Sequence, residues 1–166
     1  MSTVIDLSTS TLRELNAALH AADGGEFTVT NPRGAHAVAA GINSEVSVTV
    51  EGSVGYYCAG MHQGGNVTVH GNASTGLAEN MMSGTVRITG SSTMSAGATA
   101  HGGLLVIEGN AGARCGISMK GVDIVVGGNI GHMSAFMAQA GSLVVLGDAA
   151  EDLGDSIYEA QLFVRG

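Results

Sequence analysis

Aliphatic residues occur in pairs separated by one other residue, and the pairs recur every nineteen positions from residue 48 onward. The pairs are Val48 and Val50, Val67 and Val69, Val86 and Ile88, Leu105 and Ile107, Ile124 and Val126, Leu143 and Val145, and Leu162 and Val164. An aliphatic residue at every second position is typical of a strand with one buried face. Nineteen residues leave no room for a strand and a full helix, so each unit is predicted to be one coil of a solenoid.

Stacking such coils pairs each strand with its equivalent in the next coil, parallel and in register, and places the aliphatic residues in an interior ladder. The predicted fold class is therefore all-β, a right-handed parallel β-helix of nineteen-residue coils. The predicted handedness follows the strong preference of parallel crossover connections.

A glycine follows each aliphatic pair at a fixed distance, and small residues follow that glycine three and seven positions later. The repeat glycines are Gly52, Gly71, Gly90, Gly109, Gly128, Gly147 and Gly166. The small residues are Gly55 and Ala59, Ser74 and Ala78, Thr93 and Gly97, Gly112 and Gly116, Gly131 and Ala135, and Ala150 and Gly154. Tight corners require positive φ or little side-chain bulk, so these positions are predicted to be the corners of the coils.

The chain before the repeats has a helical pattern. Thr11 and Glu14 have the spacing of a capping box, Leu12, Leu15 and Leu19 share one helical face, and Gly24-Gly25 is expected to end the helix. Residues 1–25 are predicted to be an N-terminal segment whose helix caps the solenoid, and residues 26–166 a single β-helix domain. Glu26 to Thr30 is predicted to be the first strand.

Composition is consistent with a solenoid and excludes several classes of protein. Glycine accounts for 27 of 166 residues and charged residues for 12%, against about 7% and about 25% in typical globular domains. The net charge of −8 with six Lys and Arg residues leaves no basic surface for nucleic acid. The chain has no apolar run near the ~18 residues of a membrane span and no secretory signal at its start. We expect a soluble, cytoplasmic protein.

The residues that could carry chemistry do not converge. Cys58 and Cys115 are three periods apart in the same column, which is roughly 14 Å and too far for a disulfide. We interpret both as small buried hydrophobic residues. The six histidines occupy different phases of the repeat and are interpreted as surface or corner residues, and Met81 and Met119 as residues that fill gaps in the core. We predict no catalytic, cofactor-binding or metal-binding residue in this chain.

Glycine patterns of this kind place the chain near a known family. Gly109, Gly112 and Gly116 form the full Gly-x-x-Gly-x-x-x-Gly motif, which recurs in other coils with Ala, Ser or Thr in place of one or two glycines. The motif resembles the glycine-motif (GXGXG) β-helix at the C-terminus of the glutamate synthase large subunit. The length and two opening segments, Asp6 to Ser8 and Leu12 to Leu19, are most similar to the B subunit of methylamine–glutamate N-methyltransferase, also called N-methylglutamate synthase.

That resemblance implies a non-catalytic scaffold subunit in a transferase complex. The implied partners are a glutaminase-like subunit and an FMN-dependent, glutamate synthase-like subunit with an iron–sulfur cluster, and this chain itself would bind no cofactor. One alternative is the C-type β-helix subunit of a formylmethanofuran dehydrogenase or formyltransferase/hydrolase complex. Another is an adhesion or ice-binding solenoid, which is disfavoured because the outward threonine rank begins at Thr49 and Thr68 but does not continue past Arg87.

The residue between the two aliphatic positions of each pair is expected to point outward. This column reads Thr49, Thr68, Arg87, Val106, Val125, Val144 and Phe163. Its last four members are apolar and would form an exposed stripe roughly 14 Å long by the inter-strand spacing. The sequence shows no tail after Gly166 to cover it. Val106, Val125, Val144 and Phe163 are therefore predicted to bind a partner subunit.

Overall fold

The structure, a computed structural model, describes residues 2–166. It contains nine strands and one helix in a single all-parallel sheet whose strands are neighbours in sequence order. The elements are β1 Thr3–Asp6, α1 Leu12–Ala21, β2 Gly24–Thr30, β3 Glu45–Glu51, β4 Asn66–Val69, β5 Thr85–Ile88, β6 Leu104–Ile107, β7 Lys120–Val126, β8 Ala140–Val145 and β9 Gln161–Val164. The predicted solenoid of nineteen-residue coils is confirmed, and its right-handedness stays a prediction.

The register shows why the aliphatic residues repeat. Val67 pairs with Val86, Val86 with Leu105, Leu105 with Ile124 and Ile124 with Leu143, and each of these side chains is at least 99% buried. A second interior column begins at Val54, where isolated bridges join Val54, Ala73, Ser92, Ala111, Ile130 and Ala149. The core is thus a set of parallel ladders that run the length of the solenoid.

The corner seven positions after each repeat glycine adopts positive φ, as predicted. Ala59 and Gly116 have φ of 51° and 66°. Sequence reasoning did not predict that larger residues two positions away would share this conformation, as Tyr57 (φ 60°) and Met61 (φ 55°) do. Hydrogen bonds between coils hold them there, since the amides of Tyr57 and Met61 donate to the next coil, at 2.9 and 2.8 Å.

The N-terminal helix is present with its capping box. The amide of Glu14 donates to Thr11 Oγ1 at 3.2 Å, the amide of Thr11 donates to Glu14 Oε2 at 2.7 Å, and Leu15 and Leu19 are fully buried. The helix ends at Ala21, and Gly24-Gly25, expected to end it, instead begins β2. That expectation was wrong because an extended residue, Ala22, caps the helix.

Strand β1 was not predicted. It pairs in parallel with β2, joining Thr3 to Phe27 and Ile5 to Val29, so α1 connects two neighbouring strands of the sheet. Four residues without a buried position carry too little hydrophobic alternation to be recognised as a strand. The division between residues 1–25 and 26–166 stays a prediction.

Within residues 2–166, the one helix is too short and too polar to cross a bilayer.

Candidate functional site

The sheet register places the four predicted interface residues side by side. Val106 pairs with Val125, Val125 with Val144 and Val144 with Phe163. They alternate with buried ladder residues and therefore face outward. The three valines are partly buried by their neighbours, and Phe163 is 51% exposed. We call these four residues the apolar stripe. The structure brings them together, and their role in binding a partner stays a prediction.

Two leucines that sequence reasoning missed widen the stripe. Leu104 lies two residues before Val106 on the same face of β6, and Leu146 lies two residues after Val144; they are 36% and 49% exposed. Reading the sequence two residues to either side of the outward column would have identified both leucines. A depression of about 440 Å³ lies at this end of the sheet. It is lined by Val144, Val145, Leu146, Leu162, Phe163, Val164 and Arg165.

A salt bridge marks where the stripe begins. Arg87 pairs with Val106 in the sheet, and its guanidinium lies 2.7 Å from Glu108 Oε1. Both side chains remain partly exposed, at 54% and 39%. Before Arg87 the same column continues as Thr68, Thr49 and Thr28. One outward column therefore has a polar half and an apolar half.

The two thiols lie in the core, as predicted. Cys58 and Cys115 are free and fully buried, in one interior column with Leu77 and Ala96. Burial raises the pKa of each thiol to about 12, because the thiolate would lose its hydration. Both groups are therefore protonated at neutral pH and shielded from reagents.

His62 lies in a corner, as the interpretation of the histidines allowed, but the burial of its ring was not predicted. His62 is fully buried in the same interior column as Met81, Ala100 and Met119. Met81 and Met119 are also fully buried, which confirms that they fill the core. Over residues 2–166, no three His, Cys, Asp or Glu side chains are arranged to hold a metal ion.

A polar ladder follows the repeat glycines and was not predicted. In each coil a side-chain oxygen accepts a hydrogen bond from the amide at the same position of the next coil, at 2.8–3.0 Å. The accepting side chains are those of Ser53, Asn72, Ser91, Asn110 and Asn129, and Asp148 ends the ladder by donating its amide to Asn129. Short polar residues at nineteen-residue spacing were the available signal. Since backbone amides occupy these oxygens, the ladder stabilises the corner rather than forming a ligand site.

The chain is similar to a curated bacterial protein. The chain is 66% identical over 167 residues to Protein GlxC of Rhizobium meliloti (strain 1021), and the alignment covers 98% of this chain and 73% of that protein. No protein-family model matches the chain. No solved structure matches it either.

Proposed function

The chain belongs to the family of Protein GlxC, and from this premise we infer that it is a glutamate synthase-related scaffold subunit. The glycine pattern supports the same relationship, since it resembles the β-helix of the glutamate synthase large subunit. More specifically, we propose that it belongs to an assembly of the methylamine–glutamate N-methyltransferase type. Its partners would be a glutaminase-like subunit and an FMN-dependent, glutamate synthase-like subunit that carries an iron–sulfur cluster.

The apolar stripe is the observation that carries this proposal. Valine and phenylalanine side chains on neighbouring strands make a flat hydrophobic surface next to a sheet core that is already filled. A soluble chain rarely leaves such a surface in water, and a partner that covers it gains hydrophobic free energy without disturbing the solenoid. The side chains that could act as nucleophile or base, those of Cys58, Cys115 and His62, are buried in the scaffold.

The test is co-purification of the tagged chain from its native host with a matched pair of variants. Val125→Asp with Val144→Asp places two carboxylates in the stripe, where a dry contact would strip their hydration. Thr49→Asp with Thr68→Asp places the same charges in the polar half of the same column. Mass spectrometry identifies the bound proteins, and flavin absorbance reports an FMN subunit.

We expect the wild-type chain and the threonine variant to retain a glutaminase-like and a flavin-containing partner, and the valine variant to lose them while keeping its circular dichroism spectrum. Retention by the valine variant would show that the stripe is not the interface. Recovery of a molybdenum or tungsten subunit instead would overturn the proposed assembly.

A further inference from the structure

His62 is a fully buried histidine in the corner between β3 and β4, and one of its ring nitrogens has no partner. Its Nε2 lies 3.2 Å from the carbonyl oxygen of Gly65, so Nε2 carries the proton and donates. Nδ1 is buried without a hydrogen-bond partner among the described residues. The neutral ring therefore has one satisfied donor and one unused acceptor.

Among the described residues, no group lies within hydrogen-bond distance of Nδ1 to accept a proton bound there. A Cβ atom at Gly84 in the next coil would lie 2.7 Å from Nε2, which shows how closely the ring packs on the backbone there. The charged group that faces the ring is Glu45, at the start of β3. Its exposed carboxylate lies beside Gly64, where Oε1 would be 3.1 Å from a Cβ atom. Cys58, four residues before His62 in the same coil, has a buried thiol whose raised pKa keeps it neutral.

The same corner connects successive coils. The carbonyl oxygen of His62 accepts a hydrogen bond from the amide of Met82 at 2.7 Å, and that of Gly65 accepts one from the amide of Thr85 at 3.0 Å. The carbonyl oxygen of Gly65 thus accepts hydrogen bonds both from the His62 ring and from the next coil. Opening of the backbone between His62 and Gly65 would break both inter-coil bonds.

We propose that the corner at His62–Gly65 is an acid-sensitive joint of the solenoid, closed by the neutral ring and opened when the ring takes a proton from solvent. In the protonated ring both nitrogens are donors. Nδ1 then needs an acceptor, and the positive charge needs hydration that the core does not supply. The corner must open to provide them, which releases the amides of Met82 and Thr85.

The direction of the pH dependence follows from burial. Burial lowers the pKa of His62 below its ordinary value of 6.5, and the Gly65 hydrogen bond and the Glu45 charge only partly oppose this. The closed state therefore binds fewer protons than the open one. The closed corner is most stable above about pH 6.5 and loses stability as the pH falls below that value.

Amide hydrogen exchange of the full chain tests this directly. The equilibrium constant for opening, corrected for intrinsic exchange, is measured at Met82 and Thr85 at about pH 7.5 and about pH 5.5. We expect it to rise at the lower pH, by at most about tenfold. The amide of Gly127, which follows β7 four coils away from β3 and donates to Ile107, should not change.

Two histidine variants separate the proposal from a general effect of acid. His62→Met introduces the residue that the same column has at Met81, and should abolish the pH dependence at Met82 and Thr85. His101→Met, at an exposed position, should retain it. Equal opening constants at both pH values in the wild type, or a pH-dependent change in His62→Met as large as that of the wild type, would overturn the proposal.

If His62→Met does not fold, His62→Gln replaces it. The wild-type ring is then also titrated by NMR. A ring that becomes protonated near pH 6.5 while exchange at Met82 and Thr85 stays constant would equally exclude the joint.

Discussion

The repeat glycines from Gly71 to Gly147 lie where a Cβ atom would meet the preceding coil. At Gly109 that atom would be 2.5 Å from Ser91 Oγ and 2.7 Å from the carbonyl oxygen of Gly90. The φ angles of these five glycines lie outside the left-handed region, so the requirement is for space and not for an unusual backbone conformation. The polar ladder and the glycines thus depend on one another at each corner.

Gly109→Ala should lower the free energy of unfolding by about 1–3 kcal/mol, since the added methyl group must displace backbone as well as Ser91. Gly24→Ala is the matched control, because its Cβ would lie 3.6 Å from its nearest neighbour, the carbonyl oxygen of Glu45. Urea unfolding followed by circular dichroism should place the control within about 0.5 kcal/mol of the wild type. Equal stability of the two variants would contradict the proposed role of the close approach.

The strands are short, and β4, β5, β6 and β9 have four residues each. A strand of this length has no stability by itself and depends on its neighbours for hydrogen bonds and for its buried face, two neighbours for β4, β5 and β6 and one, β8, for β9. In β6, Leu105 and Ile107 are fully buried, whereas Val106 between them is partly exposed. Stability therefore resides in the ladder positions, and the outward positions remain available for a partner.

Within β6, Ile107→Ala should destabilise the chain by about 2–5 kcal/mol, because it leaves a cavity between two neighbouring coils. Val106→Ala, one residue away and on the outward face, should cost about 1 kcal/mol or less. Both changes in the free energy of unfolding would be measured by denaturant unfolding at one temperature. A Val106→Ala effect as large as that of Ile107→Ala would mean that the two faces of the strand are not distinct.

At the scale of the whole molecule, charge contributes little to stability. Over residues 2–166 the structure has one salt bridge, Arg87 to Glu108, with both side chains partly exposed, and such pairs contribute about 0–1 kcal/mol. The net charge is −8. Acidic residues are concentrated in the last coil, at Asp148, Glu151, Asp152, Asp155 and Glu159. Repulsion among them opposes the compact state.

Raising NaCl from about 0.02 to about 0.5 M should therefore leave the melting temperature unchanged or raise it. Salt screens the repulsion, because the Debye length falls to ~8 Å at an ionic strength of about 0.15 M and is shorter still at higher concentrations. Differential scanning calorimetry measures the shift. Asp152→Asn with Asp155→Asn should reduce the rise. A melting temperature that falls by several degrees on adding salt would show that attractive ion pairs dominate.

The sequence by itself determined the coil, its period, the interior ladder and the outward column. Each of these depends on the exact nineteen-residue repeat. Residues nineteen positions apart, such as Val106 and Val125, must stack once the coils are parallel and in register. The N-terminal capping box was also readable, since Thr11 and Glu14 contact each other within one turn. Because they also recur every nineteen residues, the members of the apolar stripe could be named in advance.

Only the tertiary structure decided the features that depend on contacts between coils at the corners. Tyr57 and Met61 adopt positive φ against their intrinsic preference because amides of one coil bond to carbonyls of the next. β1 is a strand because β2 offers it an edge. His62 is buried because the corner around Gly65 and Gly84 closes over it. A period along the chain specifies which residues stack, but the direction of a corner side chain depends on the space and hydrogen bonds that the neighbouring coils supply.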